Sequence, residues 1–273
     1  MPIEARRLLD LPHDEAARLA RSGAPLYLLV NPVEYHGPHL SLHNDRLISW
    51  GLTAALHERL RRHHPEWPLL VADDLEVGVD PCPGPGSRYT PFSVACAVVE
   101  EACRALVALD VRRVVLMTFH GSPLHNLVLA RATRLLARHG VAALSPINLL
   151  LRRVLTFDAA AADVAAVLAS VEPSRRDEIG AGLGHDFHAG FLETSLALAL
   201  APSSVDPRYA TLPPCPKVPP ARPLLVAARL ARALGRAALA DECAFAAAGA
   251  GWRALRPFPG YTGWPHLASA TVG

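Results

Sequence analysis

The sequence predicts an α/β fold, a three-layer α/β/α arrangement in which helices cover both faces of a mainly parallel sheet. Two features of the chain lead to this expectation. Short apolar runs of strand length alternate with longer segments that have helical spacing. The strand-like runs are also continuously apolar, as in a parallel sheet that is buried on both faces. With 273 residues, 51% of them hydrophobic, the chain can bury a sizeable core.

The first half of the chain carries the clearest alternation. Four short apolar runs are predicted to be strands of the sheet: residues 25–30, 68–74, 112–119 and 140–148. Three segments with apolar residues at helical spacing separate them and are predicted to be helices: residues 45–63, 92–109 and 124–138. Strands that alternate with helices in this way form βαβ units, in which neighbouring strands run parallel.

The second half of the chain is less regular but predicts further helices. Residues 159–170, 188–201 and 223–248 are rich in alanine and other helix-forming residues. Residues 202–222 contain many prolines, which cannot donate hydrogen bonds within a sheet or a helix, so this segment is predicted to be a loop. The part of the chain after the loop is too short to form its own core. We therefore predict a single α/β domain over residues 1–273.

Charge and composition argue against binding to nucleic acid or to a membrane. The formal net charge is +2, and the 27 basic residues are scattered among 25 acidic ones, so no basic face indicates nucleic acid or anionic lipid as a partner. No apolar stretch approaches the ~18 residues that a membrane span requires. The N-terminal residues 1–23 lack the apolar core of a secretion signal. The five dispersed cysteines are typical of reduced thiols and predict a cytoplasmic protein.

The segment NPVEYHGPHLSLHND, residues 31–45, places several potential metal ligands directly after the first predicted strand. Glu34 and His36 are two residues apart, so in an extended chain their side chains project to the same side. Asp45 begins the next predicted helix, and His120 follows the third predicted strand. Because open α/β sheets place their sites at the carboxyl ends of strands, we expect these side chains to converge on one crevice. Carboxylates and imidazoles that converge in this way are what a hydrolytic divalent-metal site requires.

Each of these residues also has a purely structural interpretation. Asp45 at a helix start suits an N-cap, and His120 could be a buried histidine that is hydrogen-bonded to its surroundings. The E-x-H triplet formed by Glu34 and His36 is short enough to arise by chance. The joint placement of all four residues at strand ends favours the metal site over four separate structural roles.

Four segments, in order along the chain, resemble the motifs of the creatininase (creatinine amidohydrolase) family. NPVEYHGPHLSLHND resembles a first signature that runs roughly P-x-G-S-x-E-x-H-G-P-H-L-P-x-x-x-D, and VVLMTFHG resembles a strand that ends in N-G-H-G-G-N. HAGFLETSLALALAP resembles a helix with H-A-G-x-x-E-T-S, and GYTGWPHLASA resembles a turn with G-x-x-G-D-P-x-x-A-T. The resemblance spans residues 25–270, and the first and third motifs are the most specific.

The resemblance implies two divalent metal ions per chain, and the ligand types suit Zn, Mn or Fe. Asp45 would bridge the ions. Glu34 and His120 would complete the shell of one ion, and His36 and Glu193 would complete the shell of the other. A metal-bridging hydroxide would then attack an amide-type carbonyl. From its own surroundings in the sequence, Glu193 is a carboxylate in an apolar helix, which fits a metal ligand and a salt bridge equally.

His188, from the HAG segment, is the residue that the resemblance implies as the proton shuttle to the leaving nitrogen, because the matching histidine of the family lies beside the substrate. Residues five apart on a regular helix point in different directions. His188 and Glu193 can therefore reach one crevice only if His188 precedes the first regular turn. The alternative role of His188 is a histidine at a helix start that bonds to the backbone.

The chain departs from the family pattern in the segments expected to contact substrate. TFHGSPLHN lacks the Asn-Gly pair before His120, the F-P-G-T loop is not recognisable in GSRYTPFS, and Trp264 stands where the family has aspartate. We therefore expect the metal ligands to be kept and creatinine not to be the substrate. By loop position alone, Tyr89, Ser122 and His125 are predicted to contact substrate.

Two further histidines of the first motif have no predicted part in the chemistry. His39 matches a family position that is not a ligand and is predicted to be structural, and His43 has no counterpart from which to assign a role.

The predicted function is a metal-dependent hydrolase that cleaves a C–N bond in a small-molecule amide or cyclic amide. Two alternatives remain. One is a peptide amidase in a biosynthetic pathway, and the other is a catalytically silent relative that acts as a binding or assembly subunit. The resemblance to the family also implies a closed homo-oligomer such as a hexamer.

Overall fold

The computed structural model of the protein describes residues 4–82, 85–148, 168–169, 171–183 and 188–211. The predicted helix 223–248, the GYTGWPHLASA segment, and the predicted helix 159–170 apart from residues 168 and 169 lie outside the described residues. The described residues belong to two compact units. The first contains residues 4–33, 45–81 and 88–148, and the second contains residues 34–44, 82, 85–87 and the described residues from 168 onward. A single domain over residues 1–273 stays a prediction.

The first unit contains a five-stranded sheet in the order β1-β3-β2-β4-β5, and each pair of neighbouring strands is parallel. The strands are Arg6–Arg7 (β1), Leu26–Val30 (β2), Leu70–Leu75 (β3), Arg113–Met117 (β4) and Ala142–Leu144 (β5). All five residues of β2 are buried, as a central strand covered on both faces requires. The parallel sheet predicted from the sequence is confirmed.

The helices that alternate with these strands are His13–Ala20 (α1), Asn44–Arg61 (α2), Phe92–Ala108 (α3) and Pro123–Arg138 (α4). Crossovers between parallel strands are right-handed. The crossover through α2 runs towards the β1 edge of the sheet, whereas the crossovers through α3 and α4 run towards the β5 edge. Helix α2 therefore lies on one face of the sheet, and α3 and α4 lie on the other. This arrangement is the three-layer fold that the sequence predicts.

The face of the sheet that α2 covers is defined by one cluster of buried side chains. Its sheet residues include Tyr27 and Leu29 of β2, which share a face because strand residues two apart point the same way. Trp50, Leu52 and Leu56 of α2 pack against the cluster. This packing holds α2 against the face of the sheet that contains Tyr27 and Leu29.

The second unit contains the helices Arg176–Leu183 (α5) and Phe191–Leu200 (α6) among its described residues. Helix α6 begins at Phe191, so His188 precedes it. The start of the predicted proline-rich loop 202–222 forms two 3₁₀ turns, Pro202–Ser204 and Pro207–Thr211, whereas residues 212–222 lie outside the described residues. None of the helices in the described part of the chain is long and apolar enough to cross a membrane.

Candidate functional site

In the first unit, the structure brings Asp45 and His120 together. Helix α2 begins at Asn44, so Asp45 lies in its first turn and is not the N-cap residue. Both side chains are buried, and Nδ1 of His120 lies 3.4 Å from Oδ2 of Asp45. The other ring nitrogen, Nε2, lies 3.1 Å from the backbone oxygen of Val79. A carbonyl can only accept, so Nε2 carries the hydrogen and Nδ1 faces the carboxylate.

The backbone around Val79 is held at the strand ends by a glycine and by a second histidine. A Cβ atom on Gly78 would lie 2.2 Å from Cβ of Pro32, so this close approach requires glycine. The backbone N–H of Val79 donates to Nδ1 of His125 at 3.5 Å, and Nε2 of His125 lies 3.1 Å from the backbone oxygen of Val30. His125 thus ties the Val79 segment to the end of β2.

In the second unit, the structure brings Glu34, His36 and His188 together. The possible ligand atoms of these three buried side chains all lie within 4.8 Å of one another. Nδ1 of His188 lies 3.7 Å from Oε1 of Glu34, and its Nε2 lies 2.6 Å from the backbone oxygen of Tyr35. The backbone N–H of Cys82 donates to the same carboxylate oxygen of Glu34 at 2.5 Å. The carbonyl of Tyr35 therefore sets the tautomer in which Nδ1 of His188 faces Glu34.

His36 and Glu193 form a second pair in this unit. Nδ1 of His36 lies 2.9 Å from the backbone oxygen of Glu34, which leaves Nε2 facing Oε2 of Glu193 at 3.7 Å. Glu193 lies in the first turn of α6 and also accepts from the N–H of Ala189. Ala189 has a φ of 51°, a left-handed conformation that costs a non-glycine residue on the order of 1 kcal/mol. This turn places His188 before the helix, with its ring 4.3 Å from that of His36.

Three buried histidines share one arrangement. In His36, His120 and His188, one ring nitrogen donates to a backbone carbonyl and the other faces a carboxylate oxygen at 3.4 Å or 3.7 Å. A buried lone pair is repelled by an anionic oxygen unless a cation lies between them or the ring is protonated. Two atoms that each lie about 2.1 Å from one tetrahedral ion are about 3.4 Å apart. The residues therefore fit divalent metal ions, and the carbonyls are the partners that orient such ligands.

The residues predicted to contact substrate have different surroundings. Ser122 is the N-cap of α4, where it accepts from the N–H of His125, and its hydroxyl donates to Oδ2 of Asp80 at 3.2 Å. His125 is fully buried and is bonded to the backbone of Val79 and Val30. Tyr89 is 69% exposed. Ser122 and His125 thus have structural roles, and a substrate contact stays a prediction for these two residues and for Tyr89.

His39, which the sequence left outside the chemistry, lies against the start of α6. Its Nε2 lies 3.0 Å from Oγ1 of Thr194, the residue after Glu193. Its backbone oxygen accepts from the N–H of Asp206 at 2.8 Å. Burial lowers the pKa of His39 to about 4, so the ring is neutral at pH 7. His39 therefore helps to place Glu193 and is the positioning residue that sequence motifs alone did not identify. His43 is partly buried, and its backbone N–H donates to the hydroxyl of Ser41 at 3.1 Å.

The chain is similar to creatininases in both sequence and fold. The family model Creatininase, described as creatinine amidohydrolase, matches residues 10–273. No curated protein matches the chain. Among solved structures, a creatinine amidohydrolase (creatininase) matches at 26% identity with a TM-score of 0.52, over 78% of this chain and 79% of its own.

Two further solved structures show the same fold. One, described as "Creatininase Mn", matches at 24% identity with a TM-score of 0.53, over 80% of this chain and 81% of its own. The other, a mutant creatininase described as "Zn-Zn type", matches at 23% identity with a TM-score of 0.54, over 80% of this chain and 81% of its own.

Proposed function

The chain belongs to the creatininase family, whose model matches residues 10–273, and from this premise we propose that it is a metal-dependent hydrolase. The proposed reaction is the cleavage of a C–N bond in a small amide or cyclic amide. The solved creatinine amidohydrolase that resembles the chain at 26% identity supports this reaction class. The altered loops of the sequence argue against creatinine itself as the substrate.

The observation that carries the proposal is the shared arrangement of three buried histidines. His36, His120 and His188 each donate one ring N–H to a backbone carbonyl and turn the other nitrogen towards a carboxylate. A set of hydrogen bonds that served only the fold would direct N–H groups at the carboxylates. Lone pairs directed at carboxylates instead suit a cation between the two groups, which in this proposal is a metal ion for His36 and His120 and the transferred proton for His188.

The family resemblance assigns these residues to two ions. In the proposed centre Asp45 would hold both ions, Glu34 with His120 would hold one of them, and His36 with Glu193 would hold the other. Bound Zn, Mn or Fe would lower the pKa of a water molecule and polarise the substrate carbonyl. The creatininase structures described as "Creatininase Mn" and "Zn-Zn type" make manganese and zinc the first metals to try.

His188 is proposed to protonate the leaving nitrogen. Its Nε2–H is bonded to the backbone oxygen of Tyr35, so Nδ1 is the atom that can accept and release a proton. That nitrogen lies 3.7 Å from Oε1 of Glu34. A shuttle of this kind needs no bond from His188 to a metal ion.

The remaining parts of the proposal concern the cellular location and the oligomeric state of the protein. Among the described residues, Cys96 and Cys103 are buried free thiols, and the cytoplasm, where thiols stay reduced, is the proposed compartment. A closed homo-oligomer, such as a hexamer, is proposed from the family alone.

Metal content and amide hydrolysis, measured on one preparation, test the proposed function. Wild-type protein purified without chelator is expected to contain two equivalents of metal per chain and to hydrolyse at least one member of a panel of cyclic amides, linear amides and short peptides. His120→Ala should lose metal. A matched control is His57→Ala, which removes another buried histidine of the first unit, bonded to the hydroxyl of Tyr27 at 3.2 Å. It should keep both ions.

Two results would redirect the proposal. A wild-type chain without metal would contradict the hydrolase and favour the silent binding or assembly subunit. A chain with two ions that cleaves no amide in the panel would keep the metal centre and reject catalysis. Hydrolysis confined to peptides would identify the peptide amidase.

A further inference from the structure

Asn31, the residue directly after β2, forms hydrogen bonds with several segments of the first unit. Its side-chain oxygen accepts from the hydroxyl of Ser49 at 2.8 Å, from the hydroxyl of Thr118 at 3.2 Å and from the backbone N–H of Phe119 at 3.2 Å. Its own backbone N–H donates to the carbonyl of Leu75 at the end of β3, at 3.0 Å. Asn31 is only 2% exposed, so protein groups rather than water supply these bonds.

These bonds reach the two segments that carry Asp45 and His120. Ser49 lies four residues after Asp45, so the two side chains share one side of α2. The hydroxyl of Thr118 donates to Asn31 and accepts from the backbone N–H of His120 at 3.1 Å. One amide oxygen therefore joins the start of α2 to the segment after β4.

We propose that Asn31 is a positioning residue that sets the separation between the Asp45 carboxylate and the His120 imidazole. Through that separation it controls the affinity for the metal ion that the two groups bind, and this part of the inference rests on the proposed function. The separation itself, 3.4 Å between Oδ2 and Nδ1, is a property of the fold. Asn31 acts on it through its bonds to Ser49 and Thr118.

The chemistry of an amide oxygen suits this position. It accepts from several donors without adding charge beside Asp45, whereas an aspartate here would add a second negative charge at short range. A leucine of similar size would leave the partly buried N–H of Phe119 and the buried hydroxyls of Ser49 and Thr118 without this acceptor. Groups that orient metal ligands through hydrogen bonds typically contribute 10–100-fold to metal affinity, and we expect an effect of this size.

The experiment measures Mn²⁺ affinity of the full chain by competition with a chelator. Asn31→Leu and Thr118→Val are expected to weaken the binding of at least one ion roughly 10–100-fold. Thr118→Ser keeps the hydroxyl and should bind like the wild type. Thr53→Val is the matched control, because it removes a buried hydroxyl of α2 that donates to the carbonyl of Ser49 at 2.7 Å and does not contact Asn31. It should also bind like the wild type.

A second readout on the metal-free protein separates this inference from the proposed function. The Nε2–H of His120, bonded to Val79, is followed by hydrogen exchange in ring NMR spectra. Asn31→Leu should speed its exchange roughly tenfold or more through local opening, whereas Thr53→Val should not. Wild-type exchange in both Asn31→Leu and Thr118→Val would overturn the positioning role, as would equal effects in the control. A wild-type chain that binds no Mn²⁺ would contradict the proposed function, while the exchange rates still decide the role of Asn31.

Discussion

Replacing His188 by alanine distinguishes a proton shuttle from a metal ligand. The side chain is 6% exposed, it donates to the backbone oxygen of Tyr35 at 2.6 Å, and its Nδ1 lies 3.7 Å from Oε1 of Glu34. If His188 moves protons without binding metal, His188→Ala should keep both ions and lose most of its turnover. A ligand variant such as Glu193→Gln should lose metal and turnover together.

The size of each expected effect depends on the role removed. A positioned acid–base group typically contributes 10²–10⁴-fold, so kcat of His188→Ala should fall by roughly that factor. The variant loses the hydrogen bond to the partly buried carbonyl of Tyr35, which should lower the free energy of unfolding by about 1–3 kcal/mol. At about 1.36 kcal/mol per tenfold, the loss of turnover corresponds to about 2.7–5.4 kcal/mol of activation free energy, against about 1–3 kcal/mol of unfolding free energy.

The assay pairs metal stoichiometry with single-turnover kinetics on the same preparations, using whichever amide the panel identifies. His57→Ala is the control for general destabilisation, because His57 is equally buried and bonds to the hydroxyl of Tyr27 and the backbone oxygen of Trp67. It should lose stability and keep kcat. A His188→Ala protein depleted of metal would make His188 a ligand, and one with unchanged turnover would leave it a structural residue.

Three other predictions test further parts of the site. Asp45→Ala should lose both ions because a bridging carboxylate serves both, whereas His36→Ala should keep at least one; two tightly bound ions in Asp45→Ala by elemental analysis would refute bridging. The pKa of His39 is about 4 in the folded chain against 6.5 in a model peptide, so the unfolded state takes up the proton first as pH falls. The free energy of unfolding should not change with the protonation of His39 above pH 6.5 and should decrease by up to about 3 kcal/mol towards pH 4. Denaturant titrations of His39→Gln should show a smaller decrease. An equal decrease in this variant would exclude His39 as the source of the pH dependence. Ser122→Ala should lower the free energy of unfolding by about 1 kcal/mol through the lost N-cap, with kcat/KM unchanged; a large drop in kcat/KM at wild-type stability would instead support a substrate contact.

The strands and helices of the first unit could be predicted from the sequence where the pattern of apolar side chains determines the structure. The central strands β2 and β4 are continuous apolar runs, and the helices between them have apolar residues at helical spacing, so both types of element were readable from the sequence. Strand β1, in contrast, consists of Arg6 and Arg7 at the edge of the sheet and is held by a backbone bond from Arg6 to Leu69 at 2.8 Å. Two charged side chains carry no strand pattern, so this element could not be predicted.

The candidate site was predictable in its residue types but not in its orientation. Glu34, His36, Asp45 and His120 stand at strand and helix ends that the pattern identifies. The bonds that orient the rings are long-range, since His188 is 153 residues from its carbonyl partner Tyr35. Asn31 is likewise bonded to groups 18 and 87 residues away. Such contacts arise from the tertiary fold and leave no local signal.

Backbone carbonyls orient the rings of His36, His120 and His188, so the orientation of these rings tolerates sequence changes around the candidate site. The acceptors for His36, His120 and His188 are carbonyl oxygens, so the side chains of the residues that supply them can change without altering which ring nitrogen faces a carboxylate. The path of the backbone that places these carbonyls must stay the same, and this path is sensitive to the side chain only at some positions. Gly78 is one such position, because any Cβ would meet Pro32 and displace the Val79 carbonyl. The chain has the fold of a solved creatininase at 26% identity, and the orientation of its three histidines depends on that fold through backbone carbonyls rather than through particular side chains.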